Sequence, residues 1–144
     1  MARQTLLTPH ELGLWTAWQT SCEAVVTRVC RDIAEKTGLS AADYAVLACL
    51  IENGNGQLRQ RELAVALNWD KSRISHQLSR MEVRKLLTRS KTAETGSQVV
   101  ITRLGRSTFE RARPVHAQAV RRHLLERLTP EQRAAILSLS AASA

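Results

Sequence analysis

At 144 residues, 44% of them hydrophobic, the chain is sized for one domain with its own core, and an aromatic share of only 3% beside abundant Ala, Leu and Val favours helices over a sandwich or barrel. The formal net charge of +8 is concentrated: Gln57 to Arg113 hold 13 Lys and Arg against 5 Asp and Glu, while the remainder is balanced, which is an electrostatic footprint suited to nucleic acid. No run of about 20 apolar residues can span a bilayer, no basic-then-apolar start reads as a signal peptide, and Cys22, Cys30 and Cys49 form no CxxC pair, so a cytoplasmic protein with reduced, packed thiols and no structural metal is expected.

Leu7-Thr8-Pro9-His10-Glu11 opens a helix, with Thr8 as N-cap, Pro9 at the first helical position and Glu11 at capping-box spacing. Leu12, Trp15, Cys22, Val25, Val26, Val29 and Ile33 recur on one face for about seven turns, up to Thr37-Gly38. A helix of that length exceeds what a small globule needs, which points to an oligomer interface. Ser40 and Asp43 start a second helix bearing Tyr44, Val46, Leu47, Leu50 and Ile51, stopped by Asn53-Gly54-Asn55-Gly56. Gln57-Leu58-Arg59 reads as a short strand. Gln60 to Leu67 reads as a two-turn helix with Leu63 and Leu67 inward, ended by Asn68, a residue that tolerates the left-handed conformation. Trp69 offers bulk to wedge the helix that Asp70 caps, so the order is helix, tight turn, helix.

That next helix carries the chemistry. Ile74, Leu78, Met81 and Leu86 share a buried face. The opposite face holds Ser72, Arg73, His76, Ser79, Arg80 and Arg84, with Ser75 and Gln77 near its edges. Short hydroxyls, Arg, His and Gln are the side chains that reach phosphates and base edges. Lys71, Ser72 and Arg73 occupy the first turn, the end that a helix-turn-helix protein pushes into the major groove. An ordinary basic amphipathic helix would show a similar face, and it is the neighbouring elements that favour a DNA recognition helix. Lys85 either ends it in the left-handed conformation, at about 1 kcal/mol, or lets it run on to Leu86. Thr88–Thr92 and Ser97–Ile101 then read as two strands around an Ala93-Glu94-Thr95-Gly96 turn in which Gly96 can take positive φ. Such a basic hairpin forms a wing able to lie along a phosphate backbone or reach into a minor groove. Thr102 caps a further helix with Phe109, Ala112, Val115, Ala119, Val120 and Leu124, which Pro114 should kink or split. Thr129-Pro130-Glu131-Gln132 begins a last helix with Ala135, Ile136 and Leu139, and Ser140–Ala144 is expected to fray.

Gly38-Leu39-Ser40, Arg61-Glu62-Leu63-Ala64, Asp70-Lys71-Ser72-Arg73-Ile74-Ser75 and Leu128-Thr129-Pro130-Glu131-Gln132, in this order and spacing, resemble the MarR family of winged helix-turn-helix transcriptional regulators over almost the whole chain. The resemblance implies a mainly α fold with a small β-hairpin wing in one domain, 1–144. Residues 40–102 would form the winged DNA-binding part, and 8–37 and 103–142 the dimerisation helices. It implies a homodimer on double-stranded palindromic DNA, with recognition helices about one helical turn apart. It further implies a repressor whose DNA affinity falls when a small molecule binds between the dimerisation helices and the winged part. Carried onto this chain, Ser72, Arg73, Ser75, His76, Ser79 and Arg80 would read bases, and Lys71 and Arg84 would touch phosphate. The family's Asp-x-Arg wing-tip signature is replaced here by Ala93 and Thr95, which leaves Arg89, Lys91 and Gln98 to supply the wing's contacts.

Cys22 stands roughly where the hydroperoxide-sensing branch of the family keeps its reactive thiol, but Thr20, Ser21 and Glu23 bring no positive charge to it. His116 and His123 share a helix face without a third ligand, so no metal site is expected. Trp15, Trp18 and Tyr44 could line an aromatic effector's pocket or simply pack. No glycine-rich phosphate loop, nucleophile elbow or paired carboxylates suggest an enzyme, and no cofactor is expected. The competing reading is a winged helix that docks protein or RNA without sequence-specific DNA readout.

Overall fold

The computed structural model describes residues 6–94 and 96–143. Among these described residues six helices and three short strands follow one another as α1 (Pro9–Thr37), α2 (Ala41–Gly54), β1 (Gln57–Arg59), α3 (Gln60–Leu67), α4 (Lys71–Val83), β2 (Leu87–Thr92), β3 (Gly96–Ile101), α5 (Arg103–His123), a 3-10 turn at Leu125–Arg127, and α6 (Pro130–Ala142). The fold is mainly helical with a small antiparallel sheet, as expected.

The helix starts are chemically local. In α1 the Glu11 amide donates to Thr8 Oγ1 at 3.2 Å and the Thr8 amide to Glu11 Oε2 at 2.7 Å. Ser40 and Asp43 reciprocate in the same way at α2, and Thr129 and Gln132 at α6. Each pair satisfies two amides that a helix N-terminus leaves without an internal partner. Asn55 and Asn68 close α2 and α3 at φ 52° and 53°, where a short amide side chain is tolerated.

Residue contacts gather into two compact units, the described parts of Met1–Arg31 with Gln118–Ala144, and Asp32–Ala117. In the second, α2, α3 and α4 surround a core of Leu47, Leu50, Leu63, Ile74, Leu78 and Met81, all at most 1% exposed. Burying each such side chain contributes about 1.5–3 kcal/mol. The sheet has the order β1-β3-β2. β3 runs antiparallel to both neighbours, with Arg59 opposite Gln98 and Thr92 opposite Gly96. The hairpin β2–β3 is the wing, and Gly96 enters β3 at φ 74°. The wing-tip comparison of Ala93 with Thr95 falls partly on Thr95, which lies outside the described residues.

In the first unit the stripe along α1 is largely uncovered within one chain: Leu12, Trp15, Trp18 and Val26 are exposed, as are Leu137 and Leu139 of α6. Arg133 Nη2 donates to the Leu125 carbonyl at 2.6 Å and ties α6 to the 3-10 turn. Among the described residues no helix is long and apolar enough to cross a membrane.

Two open alternatives are narrowed and two expectations are corrected. The recognition helix does not run on to Leu86. Lys85 adopts φ 59°, its amide bonds to the Glu82 carbonyl at 2.9 Å and the Leu86 amide to the Met81 carbonyl at 3.0 Å, a Schellman ending with lysine where glycine is usual. Burial of Leu86 (4% exposed) and Met81 (0%) outweighs the left-handed cost. Pro114 does not split the penultimate helix, because buried Phe109, Ala112 and Ala119 hold it on either side, but that helix ends before Leu124. The last helix is still helical at Ser140 and Ala141 and reaches Ala142 rather than fraying.

Candidate nucleic-acid interface

α3, the Asn68–Asp70 turn and α4 form the helix-turn-helix. The Trp69 amide bonds to the Ala64 carbonyl at 2.9 Å, closing α3, and the Asp70 carboxylate accepts from the Arg73 amide at 2.8 Å, opening α4. Core residues Ile74, Leu78 and Met81 fix the helix's rotation. That rotation leaves Lys71, Ser72, Arg73, His76, Ser79 and Arg80 exposed and Ser75 half-buried. Lys71, Ser72, Ser75, His76 and Ser79 line a shallow groove of about 320 Å³ along this face.

Trp69 stands in the turn between α3 and α4. It is half-buried, and the Arg73 guanidinium lies 4.1 Å from its ring centroid. A cation held over an indole face gains about 0.5–1 kcal/mol at an exposed site and is oriented as well as attracted. The signal for this was a tryptophan four residues before an arginine, astride a helix start.

Gln77 is the clear departure. Expected near the edge of the polar face, it is buried at 3% exposure and its Nε2 donates to Asp43 Oδ1 at 2.7 Å. Its position explains this, because Ile74, Gln77, Leu78 and Met81 make an i, i+3, i+4, i+7 stripe in which one member is polar. Arg80 Nη2 donates to Gln77 Oε1 at 2.7 Å. Arg84, expected at phosphate, donates through Nη1 to Asp43 Oδ2 at 2.5 Å and through Nη2 to the Gly38 carbonyl at 3.2 Å, with its side chain 44% exposed. Asp43 therefore does more than cap α2. Burial pushes its carboxyl upward, but the hydrogen bond from Arg84, the Ser40 amide and the Arg84 charge together hold it below its ordinary value of 3.8.

The wing is fastened to the same helix. Arg89 of β2 donates through Nε to Glu82 Oε1 at 2.6 Å and through Nη2 to Ser79 Oγ at 2.8 Å, and its side chain is 20% exposed. Ser79 in turn donates to the Ser75 carbonyl at 3.0 Å. Lys91 is exposed on β2, whereas Gln98 is half-buried on the central strand between Arg59 and Ser90. Arg59 and Arg61, which sequence reasoning left aside, join Lys71, Glu94 and Ser97 around a cleft of about 480 Å³. Two arginines astride the start of a short helix are the sequence signal for it. Outside this face, His116 stacks on Tyr44 at 4.9 Å between centroids. Among the described residues no three His, Cys, Asp or Glu side chains gather as a metal site.

A helix-turn-helix whose second helix is followed at once by a β-hairpin strapped to it is a winged helix, here one that turns a cationic, hydroxyl-rich face outward. The MarR family model matches residues 37–96. AbsC, a MarR family transcriptional regulator from Streptomyces coelicolor, is 30% identical over 96% of this chain and 93% of its own, with a TM-score of 0.84. This chain belongs to the MarR family of transcriptional regulators. Sco3205, another MarR family regulator from Streptomyces coelicolor, solved in complex with DNA, is 26% identical over 99% of this chain and 91% of its own, with a TM-score of 0.89. BpsR of Bordetella bronchiseptica, whose DNA binding is regulated by 6-hydroxynicotinic acid, shares the fold at 22% identity and a TM-score of 0.78, over 91% of this chain and 98% of its own. No curated protein sequence matches this chain.

Proposed function

We propose that the protein is a sequence-specific, double-stranded DNA-binding transcriptional regulator, a cytoplasmic homodimeric repressor on a palindromic operator, released by a small-molecule or redox signal. The observation that carries the reading is the outward face of α4, where a capped N-terminus presents Lys71, Ser72 and Arg73 and the following turns present His76, Ser79 and Arg80. Arginine forks match guanine O6 and N7, and hydroxyls and lysine hold phosphate. The DNA-bound state of Sco3205, with the same fold over nearly the whole chain, supports it.

On this reading Ser72, Arg73, Ser75, His76, Ser79 and Arg80 read bases. Lys71 takes phosphate, Lys91 and Gln98 serve the wing, and Arg84 and Arg89 act chiefly by bracing α4. Residues 40–102 form the DNA-binding part of one domain, with 8–37 and 103–142 pairing two copies. The test is selection of bound duplexes from a random pool at physiological salt. An enriched inverted repeat with half-sites about 10 base pairs apart is expected. Tight binding at low salt with no enriched sequence would mean charge without readout and overturn the proposal in favour of a docking module.

A further inference from the structure

The recognition helix carries a buried polar chain with a fixed direction. Asp43 is 3% exposed and its carboxylate, held below its ordinary value, offers only acceptors. Oδ2 is taken by Arg84 Nη1 and the Ser40 amide, and Oδ1 faces Gln77. Gln77, also 3% exposed, has one donor end and one acceptor end. Against a carboxylate it must present its NH₂, at 2.7 Å, and its carbonyl is thereby turned to the other side, where Arg80 Nη2 donates to it at 2.7 Å. Arg80 is exposed on the reading face. One corner of its guanidinium is thus anchored from inside the protein, while the residue as a whole stays exposed.

We propose that Asp43 is a positioning residue for DNA readout: through the amide polarity of Gln77 it fixes the orientation of Arg80 and so sets base preference at the position Arg80 meets. The inference rests on the DNA-reading role of α4. The chemistry is directional. Asp43→Asn keeps the shape but replaces one acceptor oxygen with an NH₂. The retained oxygen is claimed by Arg84 and Ser40, so the NH₂ faces Gln77. Gln77 then turns its carbonyl inward and its NH₂ toward Arg80, donor against donor. A guanidinium with no anchoring acceptor loses the pre-organisation that makes a bidentate base contact selective.

A double-mutant cycle tests this on the duplex enriched by the wild-type protein and on a scrambled duplex, each variant held below its melting temperature. Arg80→Ala is expected to lower affinity for the selected duplex roughly tenfold and the scrambled one much less. Asp43→Asn should lower selected-duplex affinity about three- to tenfold, and should cost nothing further in the Arg80→Ala background. Gln77→Met, which keeps volume and leaves Asp43 with Arg84 and Ser40, should reproduce the same pattern without depending on the Asp43 substitution folding well. Effects of Asp43→Asn or Gln77→Met that persist in the Arg80→Ala background would overturn the relay, because a merely structural role multiplies with Arg80 rather than merging with it. So would a selected duplex indifferent to Arg80→Ala. A wild-type protein that enriches no duplex removes the DNA reading itself, an outcome distinct from a selective protein whose cycle is additive.

Discussion

Arg73 and Arg80 both stand on the exposed face of α4 that is proposed to read DNA, and each is held by a different device. Arg73 lies over the Trp69 ring at 4.1 Å, an apolar platform that restrains the guanidinium plane without consuming its donors. Arg73→Ala should therefore cost roughly 1–3 kcal/mol of operator affinity and relax base preference, whereas Trp69→Ala should cost only about 0.5–1 kcal/mol, leaving a mobile but intact fork. Competition binding between selected and scrambled duplexes separates the two, and a Trp69 variant as damaged as the Arg73 variant would mean the indole supports the fold rather than the arginine. Asp43 makes a second residue-scale prediction, on stability. Its folded value lies below the ordinary 3.8, so its contribution is fully present above that value and is lost as pH falls through the folded one. The stability gap between wild type and Asp43→Asn should be widest at neutral pH and close in acid. A gap constant from pH 7 down to about pH 2 would show that the carboxylate's charge is not what Arg84 and Gln77 need.

At the scale of elements, the joint between α4 and the wing decides where the reading face points. Lys85 turns the chain at φ 59°. The Leu86 carbonyl then accepts from the Thr102 amide at 3.1 Å, and a Cβ on Gly105 of α5 would run into that same carbonyl oxygen. Lys85→Gly relieves the left-handed cost, partly offset by the greater freedom of glycine in the unfolded chain, and should raise stability by roughly 0.5–1 kcal/mol. Gly105→Ala forces backbone apart and should lower it by roughly 1–3 kcal/mol. Denaturant midpoints read both changes, and an unaffected Gly105→Ala would mean that α5 can shift freely against the joint. These elements also mark what a sequence discloses. Thr8, Ser40, Asp70 and Thr129 are legible as caps because a cap is completed within four residues. The same holds for the exposed positions of α4, which follow from where Ile74, Leu78 and Met81 must go. For Gln77 the spacing beside Ile74, Leu78 and Met81 is legible but its partner is not, because the carboxylate that lets a polar side chain be buried there comes from α2, 34 residues away. The ending at Lys85 is legible only as one of two alternatives, because what decides it is the burial of Leu86 against the rest of the fold.

For the whole molecule, the question is what covers the apolar stripe. Trp15 is 53% exposed, Trp18 48% and Val26 61% in a single chain, and Leu137 and Leu139 of the last helix are 72% and 55% exposed. Large apolar side chains repeated over several turns are seldom left to water as a continuous stripe. In a family of regulators whose expected target is an inverted repeat, a second copy is the occupant that also explains the target's symmetry. On the proposed reading, pairing would matter to function through arithmetic rather than through new DNA contacts: a second recognition helix would bind at an effective concentration set by the first, raising affinity by about 10²–10⁴. Replacing Trp15 and Trp18 together by Glu places two charges in the stripe and leaves residues 40–102 untouched. The expected result is a dimer-to-monomer change in sedimentation at micromolar concentration, with at least about a hundredfold loss on the full inverted repeat. Affinity for an isolated half-site should be unchanged, because each reading face keeps its own caps, platform and relay. A variant that stays dimeric would move the interface elsewhere. A wild-type monomer that nevertheless binds the full repeat no more tightly than a half-site would remove the two-fold arrangement altogether.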